Sequence, residues 1–106
     1  MDGDYLVVLI TAADAAQGEL IATALVEESL AACVNVVPAV RSIYRWKGEV
    51  VRDDEALLLA KTTRARFDAL QARVHALHTY DVPEVVALES AAMSEGYARF
   101  LAETLG

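Results

Sequence analysis

The chain has 106 residues, 56% of them hydrophobic and 24% charged, and its 16 acidic and 9 basic residues give a formal net charge of −7. This length predicts a single domain over residues 1–106. The acidic balance argues against nonspecific nucleic-acid binding, which needs clustered Lys and Arg side chains to neutralise phosphates.

Three features of the sequence indicate the compartment. Cys33 is the single cysteine, which excludes an intramolecular disulfide and predicts a reducing environment. The first residues, MDGDYLVVLI, carry acidic side chains where a secretion signal carries basic ones. No apolar run approaches the length that spans a membrane. We therefore predict a cytoplasmic protein without a membrane partner.

The first two elements are a strand and a helix. The apolar run YLVVLI, residues 5–10, is typical of a strand buried on both faces. Apolar residues then recur at helical spacing, which predicts a helix over about 15–30. Asp14 is its expected N-cap, and Gln17, three residues later, approximates a capping box.

A long hairpin is expected next. Residues 34–46 are rich in Val, Ile and aromatic side chains, and Pro38 inside them predicts an edge, a bulge or a bend because proline cannot donate to a ladder. Residues 47–48 predict a tight turn. The return strand is expected over 49–60, across an acidic bend at 52–55. Both arms exceed the usual strand length, so part of the hairpin is expected to project from its own subunit.

The remaining elements are a second helix, a short strand and a last helix. Thr62 or Thr63 is the expected cap of the second helix, which should stop before Tyr80 because the proline that follows disfavours α geometry. Residues 85–88 predict a buried strand, and Ser94 is the expected cap of the last helix.

This order predicts an α+β fold, the ferredoxin-like β-α-β-β-α-β sandwich with an extra C-terminal helix. Two fitted β-α-β units give an antiparallel four-stranded sheet with helices on one face. The other face would lack a helical cover. Because the strands are apolar, that face should find a partner, which predicts an oligomer.

The connection at 78–84 is the most prominent chemical candidate. It places His78, Tyr80, Asp81 and Glu84 between two apolar elements, which suits a metal site. Alternatively, the His78 imidazole serves as a cation that stabilises the C-terminus of the helix before it. A histidine three residues earlier, His75, could join it in a chelate or simply face water.

Three further residues have two interpretations each. Cys33 is either a small buried hydrophobe or a metal or redox thiol. Trp46 either packs against another chain or forms the wall of a small-molecule pocket. Lys61 either extends its charge to water at the end of a strand or supplies charge to an anionic ligand. No phosphate-binding glycine loop, paired zinc-type cysteines or HExxH motif occurs in the sequence, so we predict a protein that is not an enzyme.

Four segments together resemble the CutA1 family of divalent-ion tolerance proteins. They are LVEESLAACVNVVP, SIYRWKGEV, LLLAKTTRARFDAL and LHTYDVPEVVAL. The resemblance covers nearly the whole chain in order, and the combination of AACVN, SIYRWKGE and H-x-Y-x-V-P-E is highly specific.

The resemblance implies a homotrimer, with hairpin strands that extend across subunit boundaries and clefts that bind divalent ions, copper among them. Carried over by position, the implied metal residues are His78, Tyr80, Glu84 and Cys33. The implied ligand or interface residues are Tyr44, Trp46 and Lys61.

Among the departures from the family pattern, two concern possible metal ligands. Ile10 and Leu77 stand where members can carry a thiol and a second histidine. Weak binding of Cu(II) or Zn(II) is therefore favoured over a high-affinity copper site, and no organic cofactor is expected. A PII-like signalling trimer that binds a small ligand, or a scaffold that anchors another protein, are the alternative functions.

Overall fold

A computed structural model describes residues 4–106, so part of the acidic start of the chain, residues 1–3, lies outside the described residues. The elements, in chain order, are β1 (Tyr5–Ala12), α1 (Ala15–Glu27), β2 (Cys33–Trp46), β3 (Glu49–Thr63), a 3-10 turn (Arg64–Arg66), α2 (Phe67–Leu77), β4 (Val85–Glu89) and α3 (Glu95–Leu105).

The four strands form one sheet in the order β2-β3-β1-β4, and every neighbouring pair is antiparallel. The predicted α+β fold, its element order and its third helix are confirmed. None of the helices in residues 4–106 is long and apolar enough to span a membrane.

The main core lies between the sheet and helices α1 and α2. Alternate residues of β1 point to this side, as the period of a strand requires, and they are buried together with apolar residues of both helices and β3. Among the fully buried side chains are Val8, Ile10, Ile21, Leu25, Leu58, Leu70 and Val74. Burial of these side chains fixes the register of the central strands.

The opposite face of the sheet has a partial helical cover, which corrects the expectation that it has none. Helix α3 covers one end of it, where Leu101 and Leu105 pack with Tyr5 of β1. Beyond α3 the face stays apolar: Val86 and Leu88 of β4 are 45% and 49% exposed. The hydrophobic spacing within α3 predicts a helix but not the surface it covers.

The hairpin projects from the sheet. Strand β1 pairs with β3 only over residues 56–63, so residues 40–46 and 49–55 form a two-stranded arm. The radius of gyration is 14.2 Å, above the about 13 Å that a compact chain of this length has. At the tip, Lys47 and Gly48 have φ of 50° and 82°, the positive values that a tight hairpin turn requires.

Two predictions about the hairpin strands have different outcomes. Pro38 lies in a register shift between Val37 and Val40 on the edge strand β2, as a proline inside a strand requires. The acidic bend expected at 52–55 is wrong. These residues pair without interruption in β3, which runs on to Thr63.

The predicted helix ends need correction as well. Helix α1 ends at Glu27, and Ser29 takes a φ of 59°, which stops it before residue 30. Thr62 and Thr63 belong to β3 and do not cap α2, whose N-cap position is Arg66. The Thr62 hydroxyl instead donates to the Leu30 carbonyl at 2.7 Å, because a buried hydroxyl needs an acceptor.

The third helix begins where the sequence predicts. Ser94 is the N-cap residue of α3, but its side chain makes no capping hydrogen bond. Asp14, by contrast, accepts from the Gln17 backbone N–H at 2.8 Å. The Gln17 side chain reaches back to the Ala13 N–H at 2.8 Å, which completes the expected box-like cap.

Candidate functional site

The polar connection between α2 and β4 is held against the sheet by His78. Its Nε2 lies 2.7 Å from the Thr11 carbonyl oxygen, and its Nδ1 accepts the Tyr80 backbone N–H at 3.1 Å. A carbonyl can only accept, so Nε2 carries the proton and Nδ1 provides the lone pair. Both ring nitrogens are therefore engaged in fixing the connection.

A second bond ties the same connection to helix α1. The Gln17 amide nitrogen donates to the Thr79 hydroxyl at 2.9 Å. The residue that completes the cap of α1 thus also anchors the connection. His75 lies apart from this group. Its Nδ1 is 2.9 Å from the Gln71 carbonyl of its own helix, whereas the His78 Nε2 is next to the Thr11 carbonyl.

Tyr80 crosses from the connection to the hairpin. Its hydroxyl donates to the Glu55 carboxylate at 2.9 Å, and its ring packs against the His78 ring with centroids 4.5 Å apart. Glu55 is buried, with 7% exposure. Burial first, and then the bond to the Glu55 carboxylate, raise the pKa of Tyr80 to about 12. The phenol therefore keeps its proton at neutral pH and donates it in the hydrogen bond to Glu55.

A similar pair lies farther along the arm, where the Tyr44 hydroxyl donates to Asp53. Asp53 is opposite Ser42 and Val51 is opposite Tyr44, so the phenol reaches its diagonal neighbour across the strands. The bond to the Asp53 carboxylate, which is the largest cause, raises the pKa of Tyr44.

These two pairs line a concavity of about 440 Å³ between the hairpin arm and the connection. Its walls are Tyr44, Trp46, Asp53, Glu55, Tyr80, Asp81, Val82 and Glu84. Two carboxylates come from β3 and two from the connection, so the lining is strongly acidic. Such a site attracts cations and repels anions.

The four carboxylates surround the concavity, but they are not close enough together to hold one ion between them. Within residues 4–106, no group of three His, Cys, Asp or Glu side chains is close enough to hold a metal ion. The ligands available in one subunit are carboxylate and phenol oxygens, which suit hard cations or weak binding of borderline ones. Tyr80 and Glu84, predicted from the sequence, line this concavity. His78 is not among the lining residues, but its ring packs against the ring of Tyr80.

Cys33 lies elsewhere in the subunit. It is opposite Lys61 on β3, whereas Thr11, which contacts His78, is opposite Leu57. Four residues along a strand span about 13 Å. The half-buried thiol contacts Tyr97, whose pKa is raised first by burial and then by this contact. One subunit therefore does not bring Cys33 to the other predicted metal residues.

Two predicted ligand or interface residues, Lys61 and Trp46, are also separated. The Lys61 ammonium donates to the Asn35 side chain, beside Cys33 and away from the acidic concavity. Trp46 stands at the tip of the arm with 53% exposure, and it lines the concavity. The structure thus places Trp46 as a pocket wall, and its contact with another chain stays a prediction.

Sequence reasoning missed Asp53 and Glu55 as site residues because it assigned them to a bend. The alternation of a strand would have found them. A period of two puts both carboxylates on one face of β3. Because the turn at 47–48 pairs Tyr44 with Val51 and Trp46 with Glu49, both aromatic residues lie on that same face.

Comparison with known proteins identifies close relatives over almost the whole chain. The family model of the CutA1 divalent ion tolerance protein matches residues 6–104. The chain is 56% identical over 100 residues to the divalent-cation tolerance protein CutA of Thermus thermophilus, across 94% of this chain and 97% of that protein. It is 43% identical to the chloroplastic protein CutA of Arabidopsis thaliana, across 91% of this chain and 53% of that longer protein.

Solved structures agree with this relationship. The divalent cation tolerance protein (Cut A1) of Thermus thermophilus superposes with a TM-score of 0.93 at 55% identity, over 96% of this chain and 99% of that one. CutA1 of Oryza sativa gives a TM-score of 0.93 at 40% identity, over 97% and 94% of the two chains.

Proposed function

Because the chain belongs to the CutA1 family of divalent ion tolerance proteins, we propose that it is a non-enzymatic homotrimer that binds divalent cations in the acidic concavity. The proposed ligands are Glu55, Asp53 and Glu84, with Tyr80 and Asp81 beside them. The expected ions are Cu(II) or Zn(II), bound weakly through oxygen. Copper tolerance is the cellular role that this binding would serve.

One observation carries the proposal. The hydrogen bond from Tyr80 to Glu55 joins residues 25 apart in sequence, and it closes the connection over the acidic side of the hairpin. Carboxylates from both elements thereby face one space. Because like charges that share a space repel one another, a bound cation would relieve that repulsion.

The trimer is supported by the surface that a single subunit exposes. Val86 and Leu88 stand out from the face of the sheet that α3 leaves uncovered, and β2 is an edge strand. Exposed apolar area and unpaired strand edges favour association with further copies. Association with further copies would let a neighbouring subunit add ligands that one chain lacks.

The anionic-metabolite alternative has less support. Lys61, its expected anchor, is engaged by Asn35, and the concavity is lined by four carboxylates. A cytoplasmic location stays a prediction, since similar proteins are named as chloroplastic in Arabidopsis thaliana and periplasmic in Archaeoglobus fulgidus.

The test is isothermal titration of metal-free protein with Cu(II) and Zn(II), with the mass of the same samples measured by light scattering. We expect saturable heat from a trimer, and we expect Asp53→Asn or Glu55→Gln to weaken binding about tenfold or more. Asp54→Asn is the matched control, because Asp54 faces the other side of β3 and pairs with Arg41 at 2.8 Å. It should bind as the wild type does.

The outcome that would contradict the metal site is the absence of saturable heat from an intact trimer. An equal loss of binding in Asp53→Asn and Asp54→Asn would assign the effect to net charge rather than to the concavity. A mass corresponding to one chain would contradict the trimer.

A further inference from the structure

The aromatic side chains of the concavity are more than a metal ion requires. In a single subunit, Tyr44, Trp46 and Tyr80 are 40%, 53% and 36% exposed, and all three line the same space. Among the large exposed hydrophobic residues of 4–106, Phe100 is the one other aromatic. Exposed aromatic area gathered in one concave place marks a binding site for something larger than an ion.

We propose that this concavity binds a substituted ammonium ion, an organic cation held over the aromatic rings and neutralised by the surrounding carboxylates. Rings of this kind attract organic cations through their negative faces, with Trp the strongest of the three. The inference concerns the same concavity as the proposed metal site, but it rests on the aromatic rings and stands whether or not a metal binds.

The distribution of charge within one subunit also suits a diffuse cation. Four carboxylates line the space, and no Lys, Arg or His of residues 4–106 is among the lining residues. These carboxylates do not converge on one point within the described chain. A compact ion needs several oxygens at a short common distance, whereas an organic ammonium ion spreads its charge over a larger surface.

The Trp46 ring already has an ammonium group near it. The Nζ atom of Lys47 lies 6.0 Å from the ring centroid, at the limit of a cation–π contact. A positively charged group is therefore already accommodated beside this ring. The volume of about 440 Å³ is within the roughly 300–1,000 Å³ of small-molecule sites.

The test uses Trp46 as its own reporter, because it is the single tryptophan of the chain. The full chain, as purified, is titrated with tetramethylammonium chloride while its fluorescence is recorded. Sodium chloride at equal ionic strength controls for screening, and tert-butanol controls for an uncharged group of similar shape. We expect a saturable change with tetramethylammonium and none with either control.

Variants separate this inference from the metal site. Asp53→Asn should weaken tetramethylammonium binding about 3- to 30-fold while Asp54→Asn leaves it unchanged. By calorimetry, Trp46→Leu should lose tetramethylammonium binding but keep any binding of Zn(II), and Trp46→Phe should retain part of it. Light scattering and circular dichroism confirm that each variant keeps its fold and mass.

Three results would overturn the inference. They are no saturable change with tetramethylammonium, an equal response to tert-butanol, or unaltered binding in Trp46→Leu. Failure of the metal proposal has a different signature, since Zn(II) would then give no heat while tetramethylammonium still changes the fluorescence of Trp46.

Discussion

The Tyr80 phenol donates a 2.9 Å hydrogen bond to the carboxylate of Glu55, and this bond closes the connection after α2 over the hairpin arm. Glu55 is buried, so its charge needs donors close by. Tyr80 supplies one of them from a segment that is distant in sequence. The acidic concavity has its shape because these two residues meet.

The first prediction concerns stability at high pH. Tyr80 has a pKa of about 12 in the folded protein against about 10 in an unfolded chain. The unfolded state therefore loses the proton first, and stability falls as pH rises. The contribution of Tyr80 is fully present below about pH 10 and is lost as pH rises through about 12. Urea unfolding at increasing pH measures it.

The control for this prediction is Tyr80→Phe. The variant should be less stable than the wild type at neutral pH, but its stability should fall less steeply above about pH 10. Glu55→Gln keeps an acceptor without the charge and should give an intermediate slope. Parallel slopes in the wild type and Tyr80→Phe would show that the phenol is not the titrating group.

The second prediction separates the two histidines. His78→Ala should lower the free energy of unfolding by about 1–3 kcal/mol, because it leaves the Thr11 carbonyl and the Tyr80 N–H without their partner. His75→Ala should change it by less than about 0.5 kcal/mol, because His75 is exposed and its contact with the Gln71 carbonyl lies within its own helix. Denaturant unfolding compares the two. Equal losses would refute the anchoring role of His78.

The third prediction compares two helix caps. Asp14→Ala should cost about 0.5–2 kcal/mol because the Asp14 carboxylate accepts a backbone N–H of α1. Asp14→Asn keeps an acceptor and should be close to neutral. Ser94→Ala should cost less than Asp14→Ala, since the Ser94 side chain makes no capping bond. Thermal unfolding of the three variants is the measurement, and a larger loss in Ser94→Ala would contradict this ranking.

The fourth prediction uses a close approach between helix and sheet. A Cβ atom on Gly18 would lie 3.2 Å from the Leu58 side chain and 3.4 Å from Ala56, in the main core. Gly18→Val should therefore destabilise the protein by about 1–3 kcal/mol through overpacking, as measured by denaturant unfolding. At Gly96 the same Cβ would meet nothing within 4 Å. Gly96→Val should be close to neutral, and similar losses at both glycines would contradict the packing argument.

The family and the order of elements followed from the sequence. Apolar runs of strand length, helical spacing and turn residues are local signals, and each depends on neighbours along the chain. That is why the turn at 47–48, the Asp14 cap and the interruption at Pro38 were all placed correctly. The resemblance to CutA1 divalent ion tolerance proteins, stated on four segments, is confirmed by the family match over residues 6–104.

The candidate site was predicted only in part. Tyr80 and Glu84 were identified because polar side chains in a short connection between apolar elements are a local anomaly. The role of His78 was not identified, because its partners are the carbonyl of Thr11 in β1 and the backbone N–H of Tyr80, and the sequence does not show which backbone groups a side chain will meet. Asp53 and Glu55 were missed because strand pairing decides which face they occupy.

What the sequence determined by itself was therefore the set of elements, their order and the family. These depend on propensities and patterns that act over a few residues. What only the tertiary structure decided was which side chains meet: Tyr80 with Glu55, and His78 with Thr11, rather than either with Cys33. Register and packing bring distant residues to one face, and those contacts arise only once the sheet has formed.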